Sequence, residues 1–500
     1  MNSLPNYKYW LIAAITLHVL AAWFSVGHYH DDEYAQILNF ATSKIGMDMQ
    51  SQLMWEFEAG VRSGFQPFIA FALSKTSSFF GISSPFILAF IYRLISAIIS
   101  LAATVVFIKA IAKEINSENA FKWTVFFLFF SWILLFINVR FSSEGWATSF
   151  FILGFGLFLL PSPASIQRYL AIGFFLGLAF LARYQVGFML FGLGAWMLFI
   201  HRINYISLIY ILIAGLLTLI LGAGFDWWLY GEPTVSSWQY FKWHYDGLTS
   251  ASGGISTSVY EPWWFYIQYA ALQLIPPITL LLPIAVVAFW IFFPVHPITW
   301  LTIPFVFFHT YFGHKEMRYL FPLLPFAPVM FAMLCIHLNQ RFSLLDFKFI
   351  KYSWHSILGI SVFVNIILII LTLSLPASKE VALWQSCLTP IAAESPSVLL
   401  VLDQDGSYSD PAELNMDFYN TINLPIESVK DENEIKEIIA QHPDKQILYA
   451  SRKRNRSQQL DEANLSYELA CQALPDWILK ININNWTSRT SMWRIWSIKK

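Results

Sequence analysis

The sequence predicts a polytopic α-helical membrane protein with a small α/β domain at its C-terminal end. Of its 500 residues, 56% are hydrophobic and only 13% are charged, a composition that soluble domains of this length do not sustain. Long apolar runs recur up to about residue 375, and from Pro376 onward polar and apolar residues are mixed. The formal net charge is −1 and no basic block occurs, which argues against nucleic acid as a partner.

Eleven apolar runs are expected to form membrane helices, because a helix needs a long apolar stretch to cross about 30 Å of hydrocarbon. Several runs contain proline, which a membrane helix tolerates where its neighbours satisfy the freed backbone groups. The runs lie at about 8–26, 84–111, 119–138, 144–160, 167–182, 186–200, 204–222, 264–290, 298–312, 318–338 and 354–375.

The lysines and arginines of the short loops set the predicted orientation. If all eleven runs span the membrane, these cations fall on one side, which the positive-inside rule assigns to the cytoplasm. They are Lys8, Lys113, Lys122, Arg168, Arg202, Arg341, Lys348 and Lys351. We therefore expect a membrane domain over residues 1–375, whose first extracytoplasmic loop covers about 27–83, and an extracytoplasmic α/β domain over 376–500.

The C-terminal segment shows strand and helix patterns. "SVLLVLDQDG" predicts a buried strand ending in a turn, "IESVKDENEIKEIIAQH" an amphipathic helix, and "KQILYASR" a second strand. Three cysteines are too few for a disulfide scaffold and wrongly spaced for a metal cluster. Cys387 and Cys471 lie beyond the last apolar run, so one extracytoplasmic disulfide between them is an option.

Polar residues gather on the predicted extracytoplasmic face, in segments far apart in the sequence. Ionised groups within a few residues of hydrocarbon are costly and are usually paired or functional. Clustered tryptophans on this face are equally consistent with an interfacial aromatic belt. The candidate residues are His30, Asp31, Asp32, Glu33, Gln36, Trp55, Glu56, Arg62, Arg183, Asp226, Tyr230, Trp263, His314, Lys315, Glu316 and Arg318, whereas His28 is expected to be incidental.

These residue types suit transfer of a group from a lipid that carries a phosphate. A carboxylate can accept the proton of an attacking hydroxyl, while lysine and arginine hold the phosphate and stabilise the charge it gains on leaving. Arginine presents a planar fork to phosphate oxygens, and lysine acts as a point charge. From the residues alone, this chemistry is one option among several.

Four motifs then resemble one known family. His30-Asp31-Asp32-Glu33-Tyr34-Ala35-Gln36 resembles the H-P-D-E-x-x-Q motif of the Alg9-like and GPI-anchor mannosyltransferases, the family 22 glycosyltransferases, except that Asp31 replaces a proline. Three further segments are similar to W-E-F…R-S…P, to D-x-x-x-Y-G followed by P-W-x-x-Y, and to H-K-E-x-R-F…P. They begin at Trp55, Asp226 and His314, and a weaker echo of C-H-x-x-P starts at Cys387.

The resemblance implies a GT-C glycosyltransferase fold and a polyprenyl-phosphate sugar donor. Asp32 matches the family's catalytic aspartate, with Glu33 as its neighbour. The extra carboxylate of Asp31 could raise the pKa of Asp32 through like-charge interaction, or could itself be the base. His314, Lys315 and Arg318, with Arg183 as a further contributor, are expected to bind the donor phosphate. The expected substrate-binding residues are His30, Gln36, Trp55, Glu56, Arg62, Asp226, Tyr230, Trp263 and Glu316.

The predicted activity is inverting transfer of a sugar, mannose by resemblance, to a hydroxyl of an extracytoplasmic glycan, glycolipid or protein, with Asp32 as general base. No cofactor is required, although Asp31, Asp32 and Glu33 together could hold a divalent cation weakly. Membrane lipid is the other expected partner. The alternatives are a GT-C enzyme similar to protein O-mannosyltransferases or aminoarabinose transferases, and a transporter. We expect a bacterial inner membrane with a periplasmic active site, or the endoplasmic reticulum in a eukaryote.

Overall fold

The computed structural model describes residues 7–46, 53–161, 165–249, 261–395, 397–403, 414–453, 457–490 and 492–499. Its contacts divide the chain into two compact units. Unit 1 comprises Met1–Trp23, Glu56–Phe68 and Tyr92–Leu373, and unit 2 comprises Phe24–Trp55, Ile69–Ile91 and Ser374–Lys500. Parts of the predicted first loop, residues 27–83, therefore fold in the same unit as the C-terminal segment.

Each predicted membrane run contains helix. The α-helices in these runs are Tyr7–Phe24, Pro85–Ile111, Glu118–Phe130, Trp132–Asn138, Ser143–Leu159, Ile166–Ala182, Gly187–Phe199, Tyr205–Tyr230, Phe265–Gln273, Leu282–Phe292, Pro297–Tyr311, Ala327–Phe342 and Lys348–Ser374. Short 3-10 segments accompany them at Tyr184–Val186, Ile278–Leu281, Met317–Phe326 and Leu344–Asp346. The loops add the helices Trp55–Glu58, Phe65–Phe79 and Ser236–Thr249, where the apolar runs predict no helix.

Four helices in the described part of the chain are long and apolar enough to cross a membrane alone, and a bent pair would make a fifth. The four are Pro85–Ile111, Tyr205–Tyr230, Met317–Phe342 and Lys348–Ser374. The shorter apolar helices are Lys8–Phe24, Ser143–Leu159, Ile166–Ala182, Tyr184–Phe199 and Ile278–Phe292. These helices support an integral membrane protein, and the number of eleven spans stays a prediction.

In the bent pair, one buried side chain forms hydrogen bonds with the backbone groups that the bend leaves free. Glu118–Phe130 and Trp132–Asn138 meet at an angle of 44°, which leaves backbone groups unpaired in an apolar setting. Asn365, fully buried on helix Lys348–Ser374, donates from Nδ2 to the Phe130 carbonyl at 2.7 Å and accepts from the Trp132 N–H at 2.9 Å. The bend is thereby tied to a neighbouring helix.

Glycines allow two helices that end near the candidate site to pack closely. A Cβ atom at Gly173 would collide with the Ile211 carbonyl, and one at Gly177 would lie 2.7 Å from the Cβ of Thr218. Small residues let membrane helices approach in this way. Ile166–Ala182 and Tyr205–Tyr230 therefore lie side by side, and their C-terminal ends carry Arg183 and Asp226.

Unit 2 contains a five-stranded sheet, with strands β1 Val398–Asp403, β2 Ile426–Val429, β3 Gln446–Ser451, β4 Ser466–Gln472 and β5 Arg494–Lys499. The strand order is β2-β1-β3-β5-β4. β1 pairs in parallel with β2 and β3, whereas β5 runs antiparallel to β3 and β4. β1 is fully buried, as its unbroken apolar run predicts.

The predicted C-terminal elements are correct except at one boundary. The two strands over "SVLLVL" and "KQILYAS" are confirmed as β1 and β3, while the turn expected at 404–406 lies outside the described residues. The long amphipathic helix is wrong at its start, because Ile426–Val429 forms β2 and the helix covers only Glu432–Gln441. Asp431 caps this helix by accepting from the N–H groups of Asn433 and Glu434.

Unit 2 also contains two short helices that share one design. In each, an α-helical segment is followed directly by a π-helical segment and a second α-helical segment. The first covers Asp31–Glu33, Tyr34–Leu38 and Asn39–Ile45, and the second covers Lys379–Leu383, Trp384–Leu388 and Thr389–Glu394. The other helices of this unit are Gln458–Glu462, Asp476–Lys480 and Trp486–Arg489, with a 3-10 turn at Ile483–Asn485. π-segments often occur at functional sites.

Backbone hydrogen bonds and a disulfide connect these parts of unit 2. The N–H groups of Ala377 and Ser378 donate to the Val26 carbonyl at 2.8 and 3.0 Å. Cys387 and Cys471 form a disulfide that links the second short helix to β4, with 6.3 Å between their Cα atoms. The disulfide that the sequence left as an option, between Cys387 and Cys471, is therefore present in the structure.

Candidate active site

The acidic motif forms a capped helical turn. His30 precedes the helix Asp31–Glu33 in extended conformation, and its Nδ1 accepts from the Asp32 N–H at 3.2 Å. The same Nδ1 lies 3.6 Å from Asp32 Oδ1. Accepting from the backbone requires an unprotonated Nδ1, so the cap and an ion pair through that atom exclude each other. His30 thus fixes the backbone of Asp32, whose carboxyl is partly exposed.

Asp31, the residue that departs from the family motif, has a different environment. Its Oδ1 lies 3.4 Å from Nε2 of His28, and its side chain is mostly exposed. The hydrogen bond with His28 lowers the pKa of the Asp31 carboxyl, against the opposing effect of partial burial. Expected to be incidental, His28 is instead buried and orients the added carboxylate.

Glu33 and Gln36 are buried beneath this turn. Glu33 Oε1 accepts from the Tyr29 N–H at 3.3 Å, which closes the loop that leads into the helix. The neighbouring Tyr34 is held by the C-terminal segment, because its hydroxyl accepts from the Phe418 N–H at 3.4 Å and its ring stacks on Tyr419. Burial raises the pKa of the Tyr34 hydroxyl well above its ordinary value, so the hydroxyl stays protonated.

In unit 1, two predicted phosphate-binding arginines share one buried carboxylate. Glu144 Oε1 lies 3.3 Å from Nη2 of Arg183 and 3.5 Å from Nη1 of Arg318. The Glu144 Oε2 atom accepts from the Ser143 hydroxyl at 2.9 Å. All three ionic side chains are nearly inaccessible, so buried Arg183 depends on this carboxylate as a counter-ion, and Arg318 is paired with it and with Glu316. We call Glu144, Arg183, Glu316, Arg318 and Tyr319 the arginine cluster.

Glu316 connects the motif that begins at His314 to the arginine cluster. It accepts from Arg318 Nε at 2.5 Å, from the Tyr319 hydroxyl at 2.9 Å and from His314 Nε2 at 2.8 Å. The guanidinium of Arg183 lies 5.2 Å from the centre of the Tyr319 ring, within cation–π range. Three of the four residues named as the phosphate site, His314, Arg318 and Arg183, are therefore joined through Glu316, Tyr319 and Glu144.

Lys315 points to backbone carbonyls. Its Nζ donates to the carbonyls of Glu261 at 3.0 Å and Phe312 at 2.5 Å. Desolvation lowers the pKa of the Lys315 ammonium. A lysine held in this way keeps one further N–H donor and its charge, and it also fixes the loop between helices Pro297–Tyr311 and Met317–Phe342.

Sequence reasoning missed two residues of this region. Glu144 is absent from the predicted site residues, although a carboxylate at the start of an apolar helix is costly unless it is paired. His309 lies within an apolar run and is buried, and the centre of its ring lies 6.1 Å from that of Tyr319 with the two rings tilted by 49°. Its Nδ1 bonds to the Phe305 carbonyl, while its Nε2 has no hydrogen-bond partner among the described residues. Ionisable residues inside apolar runs were the available signal.

Asp226 has a structural role, because both of its carboxylate oxygens accept hydrogen bonds within the protein. We call the contacts of Asp226 and Tyr230 with the first loop the brace. Its Oδ1 accepts from the Gly64 N–H at 2.8 Å, and its Oδ2 accepts from the N–H of Ser236 at 2.9 Å and from the Ser236 hydroxyl. The approach at Gly64 is so close that a Cβ there would collide with the Phe225 carbonyl. Asp226 thereby ties the first loop to the segment that follows helix Tyr205–Tyr230.

The motifs that begin at Trp55 and Asp226 meet in this brace. The Tyr230 hydroxyl donates to the Arg62 carbonyl at 2.6 Å and accepts from the Arg62 N–H at 3.3 Å. Arg62 pairs through Nη2 with the buried Glu56 at 3.0 Å. Glu56, Arg62, Asp226 and Tyr230 therefore form one connected structure.

Two other predicted substrate-binding residues are surface aromatics. Trp55 and Trp263 expose about half or more of their side chains, at 48% and 63%. Exposed rings of this kind fit a membrane interface as well as a sugar contact.

Within the described residues, no group of three or more His, Cys, Asp or Glu side chains is arranged to hold a metal ion. The three acids at 31–33 belong to that search, so the option of a divalent cation there gains no support from their geometry.

Several solved structures have a similar architecture. The fold is similar to that of ArnT from Cupriavidus metallidurans bound to undecaprenyl phosphate, with 13% sequence identity and a TM-score of 0.56 over 98% of each chain. The apo state of that enzyme gives 13% identity and a TM-score of 0.54 over the same shares. An oligosaccharyltransferase from Archaeoglobus fulgidus, solved with a tethered acceptor peptide, gives 12% identity and a TM-score of 0.51 over 89% of this chain and 69% of the other. At these identities the likeness shows the GT-C fold alone.

Sequence comparison supplies the family. No curated protein sequence matches the chain significantly. The model of the Alg9-like mannosyltransferase family matches residues 9–383, three quarters of the chain and all of the motifs that begin at His30, Trp55, Asp226 and His314. Together with the apolar helices and the GT-C architecture, this match shows that the chain belongs to the Alg9-like mannosyltransferase family and is a membrane glycosyltransferase.

Proposed function

We propose that this glycosyltransferase moves mannose from a polyprenyl-phosphate donor to a hydroxyl of an extracytoplasmic acceptor with inversion at the sugar carbon. The observation that carries the proposal is the arginine cluster, in which two buried guanidinium groups share one carboxylate. Within the described part of the chain, Arg183 donates one hydrogen bond, from Nη1 to the Ser143 hydroxyl at 3.3 Å. A guanidinium has five N–H donors, so most of its capacity remains for an anionic ligand.

The donor class also has support from the fold neighbour. ArnT from Cupriavidus metallidurans binds undecaprenyl phosphate, a polyprenyl phosphate, on a similar fold. A phosphate that leaves a sugar gains negative charge, and paired arginines stabilise such charge through bidentate hydrogen bonds. Arg318 and Arg183 are assigned to the donor phosphate, with Lys315 and His314 as further contacts.

The proposed step balances in atoms and charge. The acceptor oxygen forms a bond to the anomeric carbon as the bond from that carbon to the phosphate oxygen breaks. The electron pair leaves with the polyprenyl phosphate, and the acceptor proton passes to the carboxylate of Asp32. A single displacement of this kind inverts the anomeric centre.

Asp32 is preferred over Asp31 as the base for a physical reason. The hydrogen bond from His28 lowers the pKa of Asp31, and a carboxylate with a lowered pKa accepts a proton less readily. Asp32 has its backbone fixed by His30 and keeps a partly exposed carboxyl. Glu33 and Gln36 support the turn from below, and His30 contributes by orientation.

The brace suggests a positioning role for part of the predicted substrate site. Because both oxygens of Asp226 and the hydroxyl of Tyr230 are engaged with the first loop, we assign them, with Glu56 and Arg62, to holding that loop in place. Trp55, Trp263 and Glu316 remain candidates for contact with the sugar or the acceptor.

The first prediction concerns the base. Purified protein should transfer mannose from polyprenyl-phosphate mannose, and Asp32→Asn should lower the rate by about 10²- to 10⁴-fold because amides cannot accept the proton. Asp31→Asn serves as the matched control and should retain most of the activity. Undiminished transfer by Asp32→Asn, with loss in Asp31→Asn, would instead identify Asp31 as the base.

The second prediction concerns the phosphate. Arg318→Lys keeps the charge but loses the planar fork, and should lower the transfer rate by about 10²-fold. Arg341→Lys, an exposed change at the other end of the helical segment Met317–Phe342, is the control and should leave the rate unaltered. Equal rates for both variants would exclude Arg318 from the donor phosphate.

The cellular setting is proposed from the same reasoning. We place the enzyme in a bacterial inner membrane with its active site and α/β domain in the periplasm, where the acceptor would be a cell-envelope glycan, glycolipid or protein. Lipid and glycan analysis of a deletion strain tests this directly, since the missing product identifies the acceptor.

A further inference from the structure

Unit 1 contains a second feature that the glycosyl transfer does not use. A cavity of about 710 Å³ lies among helices Glu118–Phe130, Ile278–Leu281, Ala327–Phe342 and Lys348–Ser374. Its volume is in the range of binding sites for small ligands. The residues that line it on helix Ala327–Phe342 extend from Ala327 to Gln340, which corresponds to roughly 20 Å along the helix. The cavity is therefore long as well as large.

The two ends of this cavity differ in chemistry. Asn116, Asn119, Asn339 and Gln340 lie at one end, and deeper residues such as Leu134, Ile278 and Phe331 are apolar. The hydroxyls of Thr124 and Thr279 in the deep part need no hydrogen bond from a ligand, because they donate to the carbonyls of Ala120 and Ala271 at 2.9 and 3.1 Å. The cavity thus combines an amide-rich mouth with an apolar interior.

The mouth carries amides and one imidazole as its hydrogen-bonding groups. Among the described residues that line the cavity there is no lysine, arginine, aspartate or glutamate, and His355 also lines it with its Nδ1 engaged by the Lys351 carbonyl at 2.6 Å. The side chains of Asn116, Asn119 and Gln340 make no hydrogen bond within the described part of the chain, so their amides can serve a ligand. A phosphate in this mouth would find no lysine or arginine in the lining, whereas a hydroxyl would find donors and acceptors.

The cavity is distinct from the arginine cluster. Arg318 begins the helical segment Met317–Phe342, and Asn339 is near its end, so the two lie roughly 30 Å apart along the helix. The amide-rich mouth also adjoins the loops with Lys113 and Lys348, which the positive-inside rule assigns to the cytoplasm. A lipid whose head lies in this mouth therefore cannot place that head at Arg318.

The membrane supplies the natural occupant. An apolar cavity does not hold water, and an empty one forfeits the dispersion contacts of its walls. Between membrane helices, the abundant apolar material is the hydrocarbon chain of a lipid. We propose that this cavity binds one chain of a lipid with an uncharged, hydroxyl-bearing head, and that the head is held by the amides at its mouth.

A cysteine inside the cavity allows a direct test. Cys335 lines the cavity and is the free cysteine among the described residues, since Cys387 and Cys471 are paired. Delipidated full-length protein is treated with N-ethylmaleimide at alkaline pH, and intact mass spectrometry follows alkylation over time. Dioleoylglycerol at ten times its dissociation constant should slow alkylation of Cys335 about tenfold. Dioleoylphosphatidylglycerol, which has the same chains on an anionic head, should protect far less.

Variants separate the cavity from nonspecific effects of lipid. Ala332→Trp fills the cavity and should abolish protection by dioleoylglycerol, and Ala120→Phe provides a second filling change on a different helix. Ile366→Trp, on the outward face of helix Lys348–Ser374 where Ile366 is 47% exposed, should retain full protection.

Three results would overturn the proposal. The first is equal protection by the two lipids, which would exclude selection for an uncharged head. The second is full protection in both filled variants, which would place the lipid elsewhere. The third is a Cys335 thiol that does not react even in delipidated protein, which would show that the cavity is closed.

Discussion

Two charged regions of this protein handle ionised groups in opposite ways. In the arginine cluster, the side chains of Glu144, Arg183 and Arg318 expose 3%, 6% and 4% of their surface, and the two guanidinium groups are paired with the carboxylates of Glu144 and Glu316. In the acidic turn, the side chains of Asp31 and Asp32 expose 73% and 19%, and they are held by histidines and by backbone groups close in sequence. One region is stabilised by tertiary pairing and the other by a local cap.

The difference follows from what each region is proposed to do. A group that binds a phosphate must be positioned and free of competing water before the donor arrives, so burial with a counter-ion suits it. A general base must reach the proton of the acceptor hydroxyl, so a partly exposed turn suits it. Removing one carboxylate from each region tests this contrast, and we expect the largest effect in the arginine cluster.

Glu144→Gln should give the largest loss of stability. The change leaves two buried guanidinium groups without their shared anion, and breaking a buried ion pair costs about 3 to 5 kcal/mol. The thermal unfolding midpoint of protein in detergent measures the loss. Ser143→Ala removes only a neutral partner of the same carboxylate and is the matched control. Arg318 keeps Glu316 as a counter-ion in the Glu144→Gln variant, so a midpoint equal to that of the control would mean that Arg183 does not depend on Glu144.

Glu33→Gln applies the same chemical change to the acidic turn and should cost less. Glu33 accepts a hydrogen bond from the Tyr29 N–H four residues earlier in the chain, and a hydrogen bond to a charged group contributes about 1.5 to 3 kcal/mol. We expect faster hydrogen exchange confined to residues 27–38. A global loss of stability as large as that of Glu144→Gln would contradict the view that the turn is held locally.

Asp31→Asn should have the smallest effect, and that effect should depend on pH. The pKa of Asp31 is lowered in the folded protein, so its ionised form stabilises the fold above the unfolded pKa of about 3.9, and this stabilisation disappears as pH falls through the folded value. Because the side chain is exposed, solvent screening limits the contribution to a few tenths of a kcal/mol.

Unfolding midpoints of Asp31→Asn and the unaltered protein should therefore differ slightly at pH 6 and converge as the pH falls below the lowered pKa of Asp31 in the folded protein. A difference that grows on acidification would show that the carboxyl is stabilised in its protonated form, opposite to the effect of His28.

Periodicity and composition predicted much of the fold. The apolar runs mark helices because a membrane requires long stretches without charge, and the buried strands β1 and β3 stand out as short apolar runs bounded by polar residues. The strand β2 was missed because Ile426–Val429 lies at the edge of the sheet and has the same mixed polarity as the helix after it. Edge strands give a weak signal, since only part of one face is buried.

The candidate site was predicted in its membership more than in its contacts. Arg183 and Arg318 were identified from their chemistry and their closeness to apolar runs, but the carboxylate that joins them, Glu144, was not. The spacing of residues 144, 183 and 318 in the sequence does not predict a shared ion pair, because the pair forms only when the ends of three helices lie close together in the fold. The same holds for Asp226, whose partners Gly64 and Ser236 come from two different loops.

The sequence by itself determined the membrane class, the helical runs, the acidic turn with its His30 cap, and the family motifs, because each of these depends on residues close together in the chain. Only the tertiary structure decided which charges are paired. In the folded chain, Asp226 and Tyr230 form hydrogen bonds with the first loop, and Glu144 pairs with two arginines. Cys387 and Cys471 form a disulfide. The physical reason is that a buried charge or hydrogen-bonding group must find its partner in space, and the distance along the chain carries no information about that partner.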